Sequence, residues 1–293
     1  VRGMRFSWGL LEPMMPVPYV PTLGPVRRDD PLHDLFEAVV QNAGTGRFLP
    51  WDKDQRWFDT KTEHVMADAI EHDRGLTLIP TFAERAGGVV KVHVYGTATN
   101  GLPAGADLAR KLAAEHGARK ARIVWFLSPE QPEAYARGVG TRVQLKEFSD
   151  RPGEAPRVPV VEYKQLDEPE QFAAFAAPMA DDGFAFLYEQ MRAGAVGPVL
   201  TVLDGPTVAG AIGPMETLGD AAGRARLLPQ YFGVSPQYRG RGYGRALWRA
   251  AMHWGHQHGA DYQLLQTEVG GASDRLCAAE GLTSLGFVSQ RDV

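Results

Sequence analysis

Apolar residues recur at every third or fourth position across residues 241–258, where Ala246, Leu247, Ala250 and Trp254 share one face until Gly259 ends the pattern. That spacing predicts a helix with one side buried. The flanking segments carry other signals. Residues 198–204 and 207–214 are β-rich runs joined by Gly205 and Pro206, which predicts a hairpin. Residues 227–234 and 262–269 predict strands on either side of the long helix, and 286–288 the start of another. Upstream, 158–163 predicts a strand, with helices at 168–179 and 184–192. A short helix is expected over about 273–282, with Ser273 as its N-cap. The order is strand, two helices, three strands, helix, strand, helix, strand.

The first half of the chain is less legible but repeats the end of that order. Residues 76–82 and 89–98 predict adjacent strands, 107–117 a helix closed by Gly117, 121–128 a buried strand, 132–140 a short helix and 141–148 a last strand. The repetition suggests a degenerate duplicate of the second half; an unrelated α/β domain is the other reading. Between the halves, the run SDRPGEAPRVP over 149–159 is charged and rich in proline. We therefore expect an N-terminal α/β domain over 1–150 and a second domain over 157–293.

Composition narrows the classes. A chain of 293 residues is long for one domain, so two are the default. The net charge of −4, from 31 Lys and Arg against 35 Asp and Glu, is small and spread out. No nucleic-acid partner is expected. No apolar run approaches the roughly 20 residues that cross a bilayer, and the start of the chain has no basic stretch followed by an apolar core. A cytoplasmic protein without membrane partner, monomeric or homodimeric, is the expectation. Cys277 is the only cysteine, so no internal disulfide forms, and no Cys and His cluster has metal-ligand spacing. No metal is expected.

The informative stretch runs from Phe232 through Gly233, Val234, Ser235, Pro236, Gln237 and Tyr238 to Arg239-Gly240-Arg241-Gly242-Tyr243-Gly244-Arg245. It falls where a strand ends and the long helix begins. Unpaired backbone N–H groups at such a junction form an anion cradle, aided by the positive end of the helix dipole. Glycine at 240, 242 and 244 lets backbone approach phosphate oxygens, while Arg239, Arg241 and Arg245 can add charge-assisted hydrogen bonds. A pyrophosphate fits that chemistry. There is no Gly-Lys-Ser/Thr of an NTPase phosphate loop, and no acidic residue closes a Rossmann-type unit.

The six-residue core of this motif is weak alone, but its setting between strand and amphipathic helix, after a Val-x-Pro turn and before strand, helix and Gly-Phe, resembles the GNAT superfamily of acyl-CoA-dependent N-acyltransferases. The resemblance covers about the last 135 residues. It implies a GNAT fold of the α/β (α+β) class: a mixed, mostly antiparallel sheet flanked by helices, here as two related domains in tandem. It implies acetyl-CoA or another short acyl-CoA as cosubstrate and an amine acceptor, taken to be a small molecule. The backbone of Phe232, Gly233 and Val234 would pair with the pantetheine arm, and the loop from Arg239 to Arg245, with Tyr243 in it, would hold the pyrophosphate. Tyr243 has packing on the helix as its other reading. A tandem reading resembles the architecture of mycothiol synthase, with one half catalytic and the other shaping the substrate site. The N-terminal half carries TNGLPAGADLARKL where the phosphate loop would stand, so a duplicate there has lost acyl-CoA binding.

An alkylamine needs a general base near neutral pH. Glu268, at the end of the strand over 262–269, matches the position of a base in some family members; a solvated strand-end carboxylate is the alternative. Glu216, in the turn after the hairpin, is the second candidate. The family's usual general acid is a tyrosine four residues before the Gly-Phe of the last strand, and here that position is Leu282. An asparagine common near the start of the same helix is replaced by the Ser273, Asp274 and Arg275 neighbourhood. An acyl-CoA-binding sensor without catalysis is therefore the rival reading. Cys277 suggests either a covalent acyl-enzyme or a small core residue. His253 and His256, three apart on the long helix, read as partly exposed helix residues, not a metal pair. The aromatic and charged run FLPWDKDQRWFD over 48–59 suits a substrate cleft or a packing surface equally.

Overall fold

The computed structural model describes residues 19–20, 24–25, 63–73, 76–84, 87–96, 101–127, 140–149, 153–219 and 223–293. The run over 48–59 and the helix expected over 132–140, save Gly140, lie outside these residues. In chain order the strands and α-helices are β1 (Tyr19–Val20), β2 (Gly24–Pro25), β3 (Glu63–Val65), β4 (Glu71–Asp73), β5 (Leu76–Ala83), β6 (Val89–Gly96), α1 (Leu102–Glu115), β7 (Lys120–Leu127), β8 (Gly140–Glu147), β9 (Val161–Glu162), α2 (Gln171–Ala176), α3 (Phe184–Arg192), β10 (Leu200–Asp204), β11 (Thr207–Gly213), β12 (Thr217–Gly219), β13 (Ala225–Leu227), β14 (Tyr231–Val234), α4 (Tyr243–Gln257), β15 (Tyr262–Glu268), α5 (Ala272–Ala279) and β16 (Thr283–Asp292).

Three elements differ from the sequence pattern in instructive ways. The strand expected over 227–234 is broken into β13 and β14. Pro229 lies in the break and lacks the N–H a continuous ladder needs; the Leu228 carbonyl accepts instead from Gln263 Nε2 at 3.2 Å. Gly271, not Ser273, is the N-cap of α5. The strand expected to start at 286 runs ten residues, from Thr283.

The chain forms two compact units, residues 147–263 in one and 1–146 with 264–293 in the other. This division departs from the boundary expected between 150 and 157, because the strands near the end of the chain pair with strands from its first half.

In the 147–263 unit the sheet order is β14-β11-β10-β9, antiparallel throughout. β12 and β13 form a hairpin, and β13 pairs in parallel with Tyr262 and Gln263. Helices cover both faces of the sheet. On one face α4 buries Ala246, Leu247 and Ala251; a Cβ on Gly210 of β11 would lie 3.1 Å from Leu247 Cδ1. On the other, Phe172 and Phe175 of α2 meet Phe184 of α3, with ring centroids 5.4 and 4.8 Å apart in successive pairs. Each buried ring is worth about 1.5–3 kcal/mol relative to an exposed one. Gly183, at φ 85°, starts α3 with its Cα against the Tyr231 ring, where a Cβ would overlap the ring atoms.

In the other unit the order is β15-β8-β16-β7-β6-β5-β3, with β4 also on β5. β6 and β7 are parallel over six consecutive pairs, from Val89↔Lys120 to Val94↔Trp125. Helix α1 connects them and packs Leu108 and Leu112 on Val90, Val92 and Ile123. The pattern 105, 106, 108, 109, 112, 113 of its buried positions is the expected helical stripe. The strands nearest the two chain halves' ends interleave. β8 lies between β15 and β16, and β16 lies between β8 and β7. β16 is antiparallel to both, with Phe287 opposite Leu127 on β7 and Arg142 on β8. The chain is thus a mixed α/β fold whose sheets are mostly antiparallel and flanked by helices.

Candidate functional site

The stretch from Phe232 to Arg245 starts on β14, turns through a 3₁₀ segment at Pro236–Tyr238 and enters α4. Gly240 and Gly242 have φ of 80° and 84°, the left-handed region that other residues avoid. Gly242 is the N-cap of α4, and the first amide of the helix to find a carbonyl is that of Ala246, bonded to Gly242 O at 3.0 Å. Among the described residues no backbone carbonyl accepts from the amides of Gly240, Arg241, Gly242, Tyr243 or Gly244. These donors sit at the positive end of a 15-residue helix, the chemistry an anion needs. A Cβ on Gly240 or Gly242 would meet nothing within 4 Å, so it is backbone conformation, not crowding within the protein, that requires glycine there. Gly244 differs: its φ is not left-handed, and a Cβ would make ordinary contacts with Phe232 and Val234 at 3.5 and 3.8 Å.

β14 is the edge of its sheet. The Ser235 amide donates to Ala209 O on β11 at 2.9 Å. Because direction alternates along an antiparallel strand, Gly233 also turns its N–H and C=O toward β11, and Phe232 and Val234 turn theirs outward. The Val234 carbonyl accepts from Arg239 Nε at 3.1 Å. What remains on the edge is the Phe232 amide and carbonyl and the Val234 amide, a row that an extended ligand can pair with. Gly233 itself is held by packing, since a Cβ would lie 2.7 Å from Phe184 Cε2 and 2.9 Å from Met179 Cε.

The loop is braced by a residue outside the motif. Asp204, at the end of β10, accepts from Arg241 Nη1 at 3.0 Å and from Tyr243 Oη at 2.8 Å. Arg241 also lies over the Tyr238 ring, 5.4 Å from its centroid. The hydrogen bond to Asp204 pushes the Tyr243 phenol above the ordinary tyrosine range. Tyr243 is thereby anchored to the hairpin end. Arg239, Gly240 and Arg241 are exposed, as are Gly242 and Arg245.

Of the two candidate bases, Glu216 lies in the same unit as the loop, half-buried between β11 and β12, with its carbonyl accepting from the Leu228 amide at 2.9 Å. Glu268 lies in the other unit, exposed at the end of β15. Its carbonyl accepts from the Gly271 amide at 2.9 Å, closing a tight turn before α5. Leu282 is half-buried and its amide donates to Cys277 O at 3.1 Å. Cys277 is buried, and burial, with the charge of Asp274 adding, pushes its thiol up to about 12. A buried thiol held that high supplies almost no thiolate near neutral pH, which favours a core residue over the acyl-enzyme reading. His253 Nε2 is 2.8 Å from Gly153 O, and Trp254 stacks on His258 with centroids 3.8 Å apart.

Two features escaped the sequence reading. The Asp204 brace had a usable signal, since the expected hairpin places an acid just before the Gly205-Pro206 turn, at the end of the sheet where β14 finishes. The second had none. Asp274 of α5 is buried and accepts through Oδ1 from Arg142 Nε at 2.8 Å, Thr267 Oγ1 at 2.9 Å and Gln144 Nε2 at 3.1 Å, and through Oδ2 from the Gly270 amide at 2.9 Å. Burial alone would raise its carboxyl, but the bonds from Gly270, Arg142 and Thr267 hold it below the ordinary range. Gln144 also donates to Thr267 Oγ1 at 2.8 Å.

Residues 161–278 match the family model described as the Acetyltransferase (GNAT) family. Among solved structures, the chain is similar to a GCN5-related N-acetyltransferase from Sphaerobacter thermophilus, at 16% identity over 88% of this chain and 90% of that one, TM-score 0.47. It is similar to a tandem GNAT protein from the clavulanic acid biosynthesis pathway, at 16% identity over 74% and 79% of the two chains, TM-score 0.44. A GNAT-family acetyltransferase from Colwellia psychrerythraea matches at 13% identity over 74% and 85%, TM-score 0.45. A comparison with curated proteins found no match. Among the described residues no helix is long and apolar enough to cross a membrane.

Proposed function

We propose, from the match of residues 161–278 to the Acetyltransferase (GNAT) family model, that this chain is an N-acyltransferase that moves an acetyl or other short acyl group from acyl-CoA to the amine of a small molecule. The observation that carries this reading is the run of unbonded amides from Gly240 to Gly244 beside the open edge of β14. The residues fit acyl-CoA: the amides and Arg239, Arg241 and Arg245 suit a pyrophosphate, and the outward groups of Phe232 and Val234 suit the amides of a pantetheine arm. When bound, the thioester supplies an activated acyl carbon and a thiolate leaving group.

The protein's own task is then the acceptor's proton. An amine of pKa about 10.4 is only about one part in a thousand neutral at pH 7, a handicap of roughly 4–5 kcal/mol. Glu268 takes one proton from the ammonium, the freed nitrogen lone pair attacks the acyl carbon, and as the carbon–sulfur bond breaks the nitrogen sheds its second proton to solvent, leaving the neutral amide. With Leu282 at the usual acid position, the thiolate leaves without a side-chain donor, which a thiol pKa near 8.5 permits, and solvent protonates it. Glu216 is the second candidate for the base. For the N-terminal half we propose a degenerate duplicate. Supporting this, β6, α1 and β7 repeat the parallel strand, helix, strand arrangement of β13, α4 and β15. β6 and β7 stay closed over six pairs, leaving no open edge for a cofactor arm.

The test is release of free thiol from acetyl-CoA against a panel of amines, with the parent and Glu268→Gln. The variant should lose roughly a hundred- to ten-thousandfold in rate near neutral pH and recover as pH approaches the amine's own pKa, with acetyl-CoA affinity unchanged. Equal rates at every pH transfer the role to Glu216 or to water. Acetyl-CoA binding without thiol release from any amine makes the chain a sensor.

A further inference from the structure

Resting on the reading of Glu268 as base, we propose that Arg142 and Gln144 are positioning residues for it: the first half of the chain contributes, through β8, the side chains that fix the turn on which Glu268 stands. Glu268 follows Thr267 and precedes a turn in which Gly270 has φ 75°. The hydroxyl of Thr267 and the amide of Gly270, one on each side of Glu268, both end on the Asp274 carboxylate. That carboxylate is placed in turn by Arg142 Nε and Gln144 Nε2, and Gln144 holds Thr267 directly. Arg142 is kept in line by the Phe287 ring, 4.8 Å below its guanidinium.

A strand end followed by two glycines, Gly270 and Gly271, is free to fray, and an exposed carboxylate there has no fixed direction. Four hydrogen bonds on one buried carboxylate remove that freedom on both flanks while leaving the Glu268 side chain exposed. Burying such a cluster is costly unless every member is satisfied, so a purely apolar packing of β8 on β15 and α5 would hold the sheet together as well. What an apolar packing lacks is a donor or acceptor for the Thr267 hydroxyl and the Gly270 amide. The network therefore serves the turn.

The experiment combines backbone amide exchange with a double-mutant cycle in the full-length protein. Gln144→Met keeps the volume and removes the donor. We expect faster exchange over residues 269–271, a fall in kcat of roughly ten- to hundredfold with KM for acetyl-CoA unchanged, and no further loss when Gln144→Met is added to Glu268→Gln. Thr267→Ser, which keeps the hydroxyl, should retain activity and exchange. Should Gln144→Met fail to fold, Arg142→Lys gives the same readouts with the charge preserved. Unchanged exchange over 269–271, or losses that simply multiply in the double variant, overturns the proposal. Full activity of Glu268→Gln also overturns it while leaving acyl transfer itself standing. Absence of thiol release in the parent counts against the proposed function alone, and amide exchange then decides whether these side chains order the turn.

Discussion

The phenol of Tyr243 donates to Oδ1 of Asp204 at 2.8 Å, tying the first residue of α4 to the last residue of β10. Arg241 reaches Oδ2 of the same carboxylate. A negative charge therefore stands beside the amides proposed to receive phosphate. The ion pair is half-exposed, with side chains 53% and 35% accessible, so it is worth at most about 1 kcal/mol. Asp204→Asn removes a repulsion and frees Arg241, and acetyl-CoA should bind up to about fivefold more tightly, as read by calorimetry. Weaker binding would instead make the carboxylate a necessary brace for the loop.

Gly242 is required by its φ of 84°. Gly242→Val forces a β-branched residue into the left-handed region, at about 1–2 kcal/mol or more, and puts an isopropyl group into the open space beside the loop. Acetyl-CoA affinity should fall more than about tenfold with the fold retained. Gly244→Ala, whose Cβ makes only ordinary contacts, should weaken binding far less. Calorimetry and circular dichroism on both variants check the pair.

His93 on β6 predicts an acid-sensitive fold. It is buried with neither ring nitrogen hydrogen-bonded, and it neighbours Glu63 of β3 and Lys91 of β6, which pair at 2.9 Å. Burial above all lowers its pKa to about 4, with Glu63 opposing the shift and Lys91 adding to it. Below about 6.5 the unfolded chain takes up a proton that the folded chain refuses until about 4, so stability falls with pH across that window. Urea unfolding should show a loss of roughly 2 kcal/mol between pH 7 and pH 5 from this side chain, absent in His93→Leu. A parent and variant with parallel pH dependence would show that His93 is reached by water.

Cys277 should not react with thiol reagents at pH 8 while the protein is folded, and should react once in denaturant. Cys277→Ala is expected to leave the acyl-transfer rate unchanged and to cost about 1 kcal/mol of stability for the lost packing. A dead but folded variant would restore the covalent reading.

The glycine-rich junction of β14 and α4 was legible as a structural element because its determinants are local. Glycine spacing, a strand before and an amphipathic helix after are all carried by residues 227–258, and the observed α4 ends within two residues of the pattern. β14 and the hairpin of β10 and β11 were legible for the same reason. The interleaving of β8 with β16 was not. Alternation in TRVQLKEF announces a strand but cannot name its neighbour, since register and partner depend on residues far along the chain. The same limit hid the role of Gln144. Arg142 and Gln144 alternate with Val143 and Leu145, a pattern that reads as a solvated face, and only burial against α5 turns it into a hydrogen-bonded one. Glu268 and Glu216 were legible as carboxylates at element ends, which marks position and not role.

The strand exchange also bears on how the chain is made. Arg142 and Ser284 stand 142 residues apart in sequence, yet β8 and β16 are sheet neighbours. At ribosomal speed the first half waits on the order of ten seconds for β16 to be translated. During that interval β7, already paired with β6, presents one unpaired backbone edge, and β8, whose neighbours β15 and β16 are both still to come, presents two, the kind that recruits strands from other chains. Nascent protein is thus exposed to intermolecular pairing at a moment fixed by gene order, and slow codons between β8 and β16 would lengthen the hazard, whereas a chaperone that shields strand edges would shorten it.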